Sequence, residues 1–457
     1  MEDNEDFIVG RPLVYCAIGI FLGIISYFTF SENFLIGVAF ATSFLIISYL
    51  AMGCKNFIVI FTFFILGNLF NYIYFSIDLP KSNETIHVQI VRDNKFFKMA
   101  KLKGRYMNLM GIYDNIKEGT YIDVSGEFLR EPNYPMGIIG SLKAEKYNIL
   151  VQSRQGSIYD IREQAYTRFS KILGETNAGI LMALCLGEDK YIDYTYKDEL
   201  SYLGVVHIIS VSGFHMGIIF MILGIIPSKF IQCIIAFIYV VFTGSKPSTC
   251  RAFIMIIILK FSQYVHKEYD PLSALALSSI ILLSLNPYYA GNAGFILSYT
   301  SVIGIILFNN KIKLILYKLP KFLNESISIC LASMSISSLF SIVSFGELSI
   351  GSSIGNVFLI PLYSLVTILG SISIIFFYTE FIFDSLNYMI LGGLTINNLI
   401  KDFLMKVTLP PINLEYYHII FILILALSYA MNKKGKKEAK IVPFIALWCF
   451  CLFFNRL

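Results

Sequence analysis

Three apolar stretches, near Leu13–Phe30, Phe34–Met52 and Phe57–Phe75, follow one another with only Ser31-Glu-Asn33 and Lys55 standing out between them. A bilayer core of about 30 Å takes roughly 20 apolar residues per helix, so each stretch is long enough to cross one. Further candidates lie near Val206–Ile226, Phe230–Phe242, Ala252–Val265, Leu272–Leu285, Phe295–Phe308, Ile327–Ser344, Ile354–Phe377, Phe383–Ile400, Tyr416–Ala430 and Ile441–Phe454. Several are short or interrupted by Gly or Pro. The pattern reads as a polytopic α-helical integral membrane protein with about 11–13 transmembrane helices. Composition agrees: 56% of residues are hydrophobic and only 15% charged, against about 25% charged in a soluble domain. A set of soluble domains, a disordered chain, a coiled coil and a small disulfide scaffold are all excluded.

Between Ser76 and Gln152 the hydrophobicity stops. Alternation in Thr85-Ile-His-Val-Gln-Ile-Val91 and Thr120-Tyr-Ile-Asp-Val-Ser-Gly-Glu-Phe128 predicts strands. Ile158 to Leu173 then reads as a polar helix suited to the membrane surface. Lys311, Lys313, Lys318 and Lys321 fill one link between apolar runs, and Lys433, Lys434, Lys436, Lys437 and Lys440 fill another. The positive-inside rule puts both on the cytoplasmic side. Counting spans back places the polar 76–152 region outside and the N-terminus inside. The start, MEDNEDFIVGRP, is acidic where a secretory signal is basic, so the first run is expected to be a retained anchor. Lys246 and Arg251, in Thr243-Gly-Ser-Lys-Pro-Ser-Thr-Cys-Arg-Ala252, fall on the outer side and break the charge rule. Lys246 reads equally as an ordinary outer-loop cation or a residue of a wet path; Arg251, beginning a helix, points to a functional role.

Few residues can carry chemistry. The eight cysteines form neither a CxxC pair nor a Cys/His cluster, and HExxH and Walker patterns are missing, so no metal site, disulfide framework, nucleotide site or other cofactor is expected. Val205-Val-His-Ile-Ile-Ser-Val-Ser-Gly-Phe-His-Met-Gly217 is the clearest constellation. On an unbroken helix His207, Ser212 and His215 share one arc, and Ser210, Ser212, Gly213 and Gly217 also suit a broken helix lining a cavity. Helix packing through small residues is the alternative. In the polar region Lys95, Lys98, Lys101, Lys103 and Arg105 come without an acid, interleaved with Phe96, Phe97 and Tyr106. Single-stranded nucleic acid needs such a pairing, charge for phosphates and rings for bases; a solvated strand with its phenylalanines in a barrel core is the other reading.

These residues resemble a known family, the ComEC-type DNA-internalisation channels of natural competence. Leu203-Gly-Val-Val-His-Ile-Ile-Ser-Val-Ser-Gly-Phe-His-Met-Gly217 is similar to its TGLAHLLAISGLHVG, and Ala183-Leu-Cys-Leu-Gly-Glu-Asp189 to ALLLGD. Thr243–Ala252 resembles TGxxPSxxRA, Asn286-Pro287 the LxxP element and Gly294-Phe-Ile-Leu-Ser-Tyr299 GFQLSF. Phe345-Gly-Glu-Leu-Ser349 with Asn356 and Pro361 resembles FGQLS…NLLxxPL. Ile296, Glu347 and Ser344 depart from the Gln, Gln and His common there. The outer region also has no cysteine for the disulfide seen in some relatives.

The resemblance implies N-terminal transmembrane helices over 1–75, an extracytoplasmic OB-like β domain over 76–152, interfacial linker helices over 153–201, a competence-type channel domain over 202–378 and C-terminal transmembrane helices over 379–457. Many members continue into a metallo-β-lactamase-like nuclease domain. Here the histidines are His87, His207, His215, His266 and His418, without HxHxDH, so no nuclease of that type is expected in this chain. The expected activity is a channel, not an enzyme. It passes single-stranded DNA across the cytoplasmic membrane, with a DNA receptor, a cytoplasmic helicase-type ATPase and a nuclease supplied separately. The path would be lined by His207, Ser210, Ser212, Gly213, His215, Gly217, Lys246, Arg251 and Asn356. Two other classes stay open: a transporter of a different solute, and an intramembrane hydrolase using Ser212 with His207 or His215.

Overall fold

The structure is a computed structural model and describes residues 11–76, 85–93, 97–112, 114, 116–151, 158–209, 212–348, 351–408 and 410–413. The expected spans Tyr416–Ala430 and Ile441–Phe454, with the lysines between them, lie outside the described residues. The chain divides into two units, 1–193 with 207–299 and 362–397, and 194–206 with 300–361 and the remainder.

The first unit opens with α1 (Pro12–Glu32) and α2 (Phe34–Phe75). Asn33 separates them, its Oδ1 accepting from the amides of Leu35 and Ile36 as an N-cap. Helical hydrogen bonding continues through α2, yet Phe44 stacks on Phe64 at 5.4 Å and Tyr49 meets Phe57 at 5.5 Å. In a straight helix residues twenty apart stand about 30 Å apart. The run therefore doubles back between Leu50 and Asn56, and the two expected spans are its two arms. The second arm packs on α1 backbone to backbone. A methyl added at Gly67 would come within 2.3 Å of the Ile20 carbonyl oxygen, and one at Gly23 within 2.2 Å of that of Phe64. Small residues bring helices together in this way where lipid offers no hydrophobic drive.

β1 (Ile86–Asp93), β2 (Lys98–Leu102), β3 (Arg105–Met110), β4 (Tyr121–Leu129) and β5 (Ile138–Val151) form a closed barrel in the order β1-β2-β3-β5-β4. β4 closes on β1, and every pairing is antiparallel except β3 with β5. This is the OB-like barrel expected from the sequence. Val88, Ile90, Ala100, Met107, Ile122 and Val124 are fully buried and Leu109 and Leu142 nearly so, from alternate positions that fill its interior. Aromatic rings seat the barrel on the helices. The Tyr74 hydroxyl donates to the Gly137 carbonyl at 3.0 Å, and Tyr134 packs against Phe28 and Phe75.

α3 (Ile158–Leu173) is amphipathic, burying Ala165, Phe169 and Leu173 at helical spacing. α4 (Glu175–Leu186) is almost wholly buried. After α5 (Tyr194–Tyr202), which belongs to the second unit, come α6 (Gly213–Leu223), α7 (Lys229–Phe242), α8 (Pro247–Tyr264), α9 (Pro271–Leu285) and α10 (Ala293–Ile315). α11 (Lys321–Phe345), α12 (Ser352–Ile375) and α13 (Glu380–Val407) follow. β6 (Glu347–Leu348) pairs with β7 (Ile412–Asn413) in the second unit. There, too, the Lys401 ammonium pairs with the Glu199 carboxylate over the Tyr196 ring, 4.6 Å from its centroid.

Among the described residues, five helical stretches are long and apolar enough to cross a membrane: Pro12–Glu32, Asn56–Phe75, Ala293–Ile315, Lys321–Ile342 and Ile354–Ile375. Phe34–Leu50, Glu175–Leu186, Lys229–Phe242 and Pro271–Leu285 are apolar but shorter. The expected span Val206–Ile226 is not one helix: a 3₁₀ turn at Val206–Ile208 precedes α6, which begins only at Gly213. Leu35, Leu50, Ile225, Phe381 and Leu399 are 66–86% exposed, apolar surface that suits lipid and not water. The protein is a multi-pass helical membrane protein carrying an OB-like barrel.

Candidate functional site

The break before Gly213 organises the site. Ser212 takes the N-cap position of α6 and His215 its third helical position. The Ser212 amide donates to His215 Nδ1 at 3.0 Å, and the Ser212 hydroxyl lies 3.1 Å from the same nitrogen. This is one half of a capping box, the side chain at the third helical position reaching back to the N-cap amide, with imidazole in place of the usual carboxylate. An amide N–H can only donate, so Nδ1 is an acceptor and a neutral imidazole carries its proton on Nε2. Of the unbroken and the broken helix that the sequence allows, the structure has the broken one. His207 sits exposed in the 3₁₀ turn, while His215 is 3% exposed inside the helix start. Ser210 lies outside the described residues, and Gly217 is exposed on α6 with open space where a side chain would be.

Arg251 lies against this helix start. A methyl on Gly213 would stand 2.7 Å from Arg251 Nη2, so the glycine is what lets the guanidinium approach. Arg251 is 8% exposed, donates from Nε to the Ser298 hydroxyl at 2.9 Å and from Nη1 to the Met255 sulfur at 3.8 Å, and lies 5.9 Å from the Tyr299 ring centroid. Tyr299 is held in turn by a 2.9 Å bond to the Ser278 hydroxyl. Among the described residues no carboxylate pairs with Arg251. A buried guanidinium beside a helix N-terminus concentrates positive charge, which an anion relieves. Three motif segments meet here: SGFH through Gly213 and His215, PSTCRA through Arg251, and GFILSY through Ser298 and Tyr299. Ser298, Tyr299 and Ser278 are the residues to which sequence reasoning gave no role, although the GFILSY pattern pointed at the first two.

Lys246 does something else. Its ammonium donates to the Gly187 carbonyl at 2.8 Å, where Gly187, at φ 71°, ends α4. A cation at a helix C-terminus answers the carbonyl end of the dipole, and burial draws its pKa below the ordinary lysine value. The loop after Gly187 is an ionic junction. Arg162 of α3 pairs with Glu188 at 3.2 Å, Arg92 of β1 with Asp189 at 3.5 Å, and Lys190 with Glu118 of the barrel at 3.0 Å. Lys246 thus anchors structure through the Gly187 carbonyl. Asn356, buried in the second unit, donates to the Cys330 sulfur at 3.3 Å and leaves Oδ1 without a partner among the described residues.

The barrel residues also separate. Lys95 and Phe96 lie outside the described residues. Lys98 is 4% exposed because β2 turns it to the same face as buried Ala100 and Leu102, so it offers no outer charge. Lys101 and Lys103 are exposed and Phe97 half-buried. Arg105 donates to the Ile73 carbonyl at 2.5 Å and covers the Tyr74 ring. Tyr106 packs on Tyr288 at 6.1 Å, and burial raises its pKa above the ordinary tyrosine value. Arg105 and Tyr106 therefore serve the seam with the helices. From Tyr106 a run of rings passes through Tyr288, Tyr289, Phe295 and Tyr299 to the guanidinium of Arg251.

Residues 184–434 match the family model described as Competence protein. The chain is 28% identical over 225 residues to ComE operon protein 3 of Bacillus subtilis (strain 168), covering 47% of this chain and 28% of that one. It is 23% identical over 219 residues to an uncharacterized protein of Aquifex aeolicus (strain VF5), covering 45% of this chain and 50% of that one. The matches therefore span half or less of the length of these relatives. No solved structure matches.

Proposed function

Because the chain belongs to the competence protein family, we propose that it is a membrane conduit for single-stranded DNA in natural transformation, acting in the cytoplasmic membrane of a bacterium. The observation that carries this reading is the buried guanidinium of Arg251 at the N-terminus of α6, without a carboxylate partner among the described residues. Phosphate is the one anion every nucleotide carries. A fixed cation set beside helix amides attracts it without reading bases. Passage is then sequence-tolerant and weakened by salt.

In this scheme the barrel faces outward and the N-terminus lies in the cytoplasm. Lys101 and Lys103 are among the exposed barrel cations and can meet incoming phosphates. The barrel hands the strand to the region of His215 and Arg251, and the chain of rings from Tyr106 to Tyr299 holds the two in register. A surface DNA receptor, a cytoplasmic helicase-type ATPase and a nuclease act as separate partners. The Ser212–His215 pair is built as a helix cap, which favours conduction over hydrolysis.

The test is uptake of labelled DNA into cells carrying wild type, Arg251→Met or His215→Ala at equal membrane abundance. DNA that stays outside and nuclease-accessible in the variants, while the wild type internalises it, supports the conduit. Wild-type cells that internalise no more than a deletion strain refute it, leaving a transporter of another solute.

A further inference from the structure

A cleft of about 960 Å³ opens in the first unit between α3, the link before β4 and the turn from α12 to α13. Its walls carry charges of both signs, three cations and four carboxylates, Asp160 and Glu163 of α3 among them. Arg168 and Lys171 line it from α3, and Glu380 and Asp384 from the first turns of α13. Lys171, Glu380 and Asp384 have no hydrogen-bond or ion-pair partner among the described residues. Arg168 donates to the Phe377 carbonyl and lies over the Phe377 and Phe383 rings, 4.9 and 4.5 Å from their centroids, without a carboxylate. Lys117 of the link before β4 and Glu163 of α3 bond to each other at 3.0 Å and neutralise themselves. Unpaired charges of both signs facing one cavity suit a ligand that carries both.

The level of the cleft points to the source of that ligand. α12 supplies the membrane-length stretch Ile354–Ile375, and Phe377 lines the cleft two residues beyond its end. Tyr378 and Phe381, beside it, are 89% and 84% exposed, as aromatic residues at a bilayer interface are. A cavity at the end of a spanning helix opens among lipid head groups.

We propose that this cleft seats a phosphoethanolamine head group, its phosphate toward Lys171 and Arg168 and its ammonium toward Glu380 and Asp384. The last two stand four residues apart, on one face of α13. Their oxygens accept hydrogen bonds, which a primary ammonium supplies and a choline group cannot. The ring faces that would cage a quaternary ammonium are covered by Arg168. A purely anionic head group would leave the two carboxylates unanswered. Seated here, the lipid fixes α3, and through it the barrel-side junction, to the bilayer surface.

The test uses the delipidated full chain in detergent, with retention of phosphatidylethanolamine, phosphatidylcholine and phosphatidylglycerol measured by native mass spectrometry. Phosphatidylethanolamine is expected to be retained about tenfold more strongly than the other two. Glu380→Gln with Asp384→Asn removes that preference, and Lys171→Gln weakens ethanolamine and choline lipids alike. These are exposed positions, and an unchanged unfolding midpoint confirms that the variants fold. Soluble glycerophosphoethanolamine that competes at equal affinity assigns the site to the free head group; failure to compete assigns it to the membrane lipid. Equal retention of the three lipids, or an undiminished preference in the double carboxylate variant, overturns the proposal. None of these outcomes depends on DNA transport.

Discussion

Replacing Arg251 by methionine separates the reading of Arg251 as a phosphate site from that of a structural cation. A guanidinium in a membrane domain costs about 2.5–3.5 kcal/mol on insertion scales. The 2.9 Å bond to Ser298 offsets roughly 1.5–3 kcal/mol, as a hydrogen bond to a charged group does. The Tyr299 face adds about 0.5–1 kcal/mol. The two sides nearly cancel, so Arg251→Met should leave stability within about 1 kcal/mol of the wild type while DNA internalisation falls to the level of a deletion strain. Ser298→Ala alone keeps the charge and removes its best partner, and should cost about 1.5–3 kcal/mol. In the Arg251→Met background the same change should cost well under 1 kcal/mol, because no charge remains to be served. The assay is equilibrium unfolding in mixed micelles, run as a four-member cycle alongside uptake at matched membrane abundance. If Arg251→Met costs more than about 3 kcal/mol and the protein that still folds transports normally, the guanidinium is structural and the reasoning fails.

Lys246→Met should lower stability by about 1–2 kcal/mol through loss of the bond to the Gly187 carbonyl, with uptake per folded molecule close to wild type; unfolding and uptake measured together check this. Gly67→Ala forces a methyl to within 2.3 Å of the Ile20 carbonyl oxygen and should cost about 1–3 kcal/mol by separating α1 from α2, read from the unfolding midpoint in micelles. Glu199→Gln leaves the buried ammonium of Lys401 with Asp402, 3.4 Å away, as its remaining carboxylate and should cost about 1–3 kcal/mol, most of it regained when Lys401→Met is added; the same micelle unfolding measures both.

The residues divide by whether their partners are near in sequence. The hairpin of α2 was legible from two apolar runs around Lys55, strands β1 and β4 from period-two alternation, and the barrel only through the family resemblance. Helical periodicity alone marked α3. Lys98 was not legible: a run of cations says nothing of register, and β2 turned this one inward with Ala100 and Leu102. The break at Gly213 was legible only as one of two readings, because Ser210, Ser212 and Gly213 suit a broken helix as well as a packed one and the residue that decides, Arg251 beside the glycine, comes from another segment. Lys246 and Gly187 stand 59 residues apart, and no local pattern joins them. The motif resemblance brought the right segments together, but it could not say which atoms of each segment touch.

Lys246 and Arg251 show why a charge that breaks the positive-inside rule needs its acceptors named before it is given a role. Five residues apart in one segment, they carry the same sign and are both largely buried. The Lys246 ammonium finds a carbonyl already short of a donor at a helix end, with Glu188 and Asp189 nearby to balance it. Its charge is answered within the fold. Arg251 finds a hydroxyl, a sulfur and a ring, none of them charged, at the end of a helix where the amide dipoles are also positive. A fold that only needed to fill this space would be served as well by an apolar side chain. Among the described residues no negative charge compensates Arg251, and the conduit reading supplies one with each nucleotide that passes.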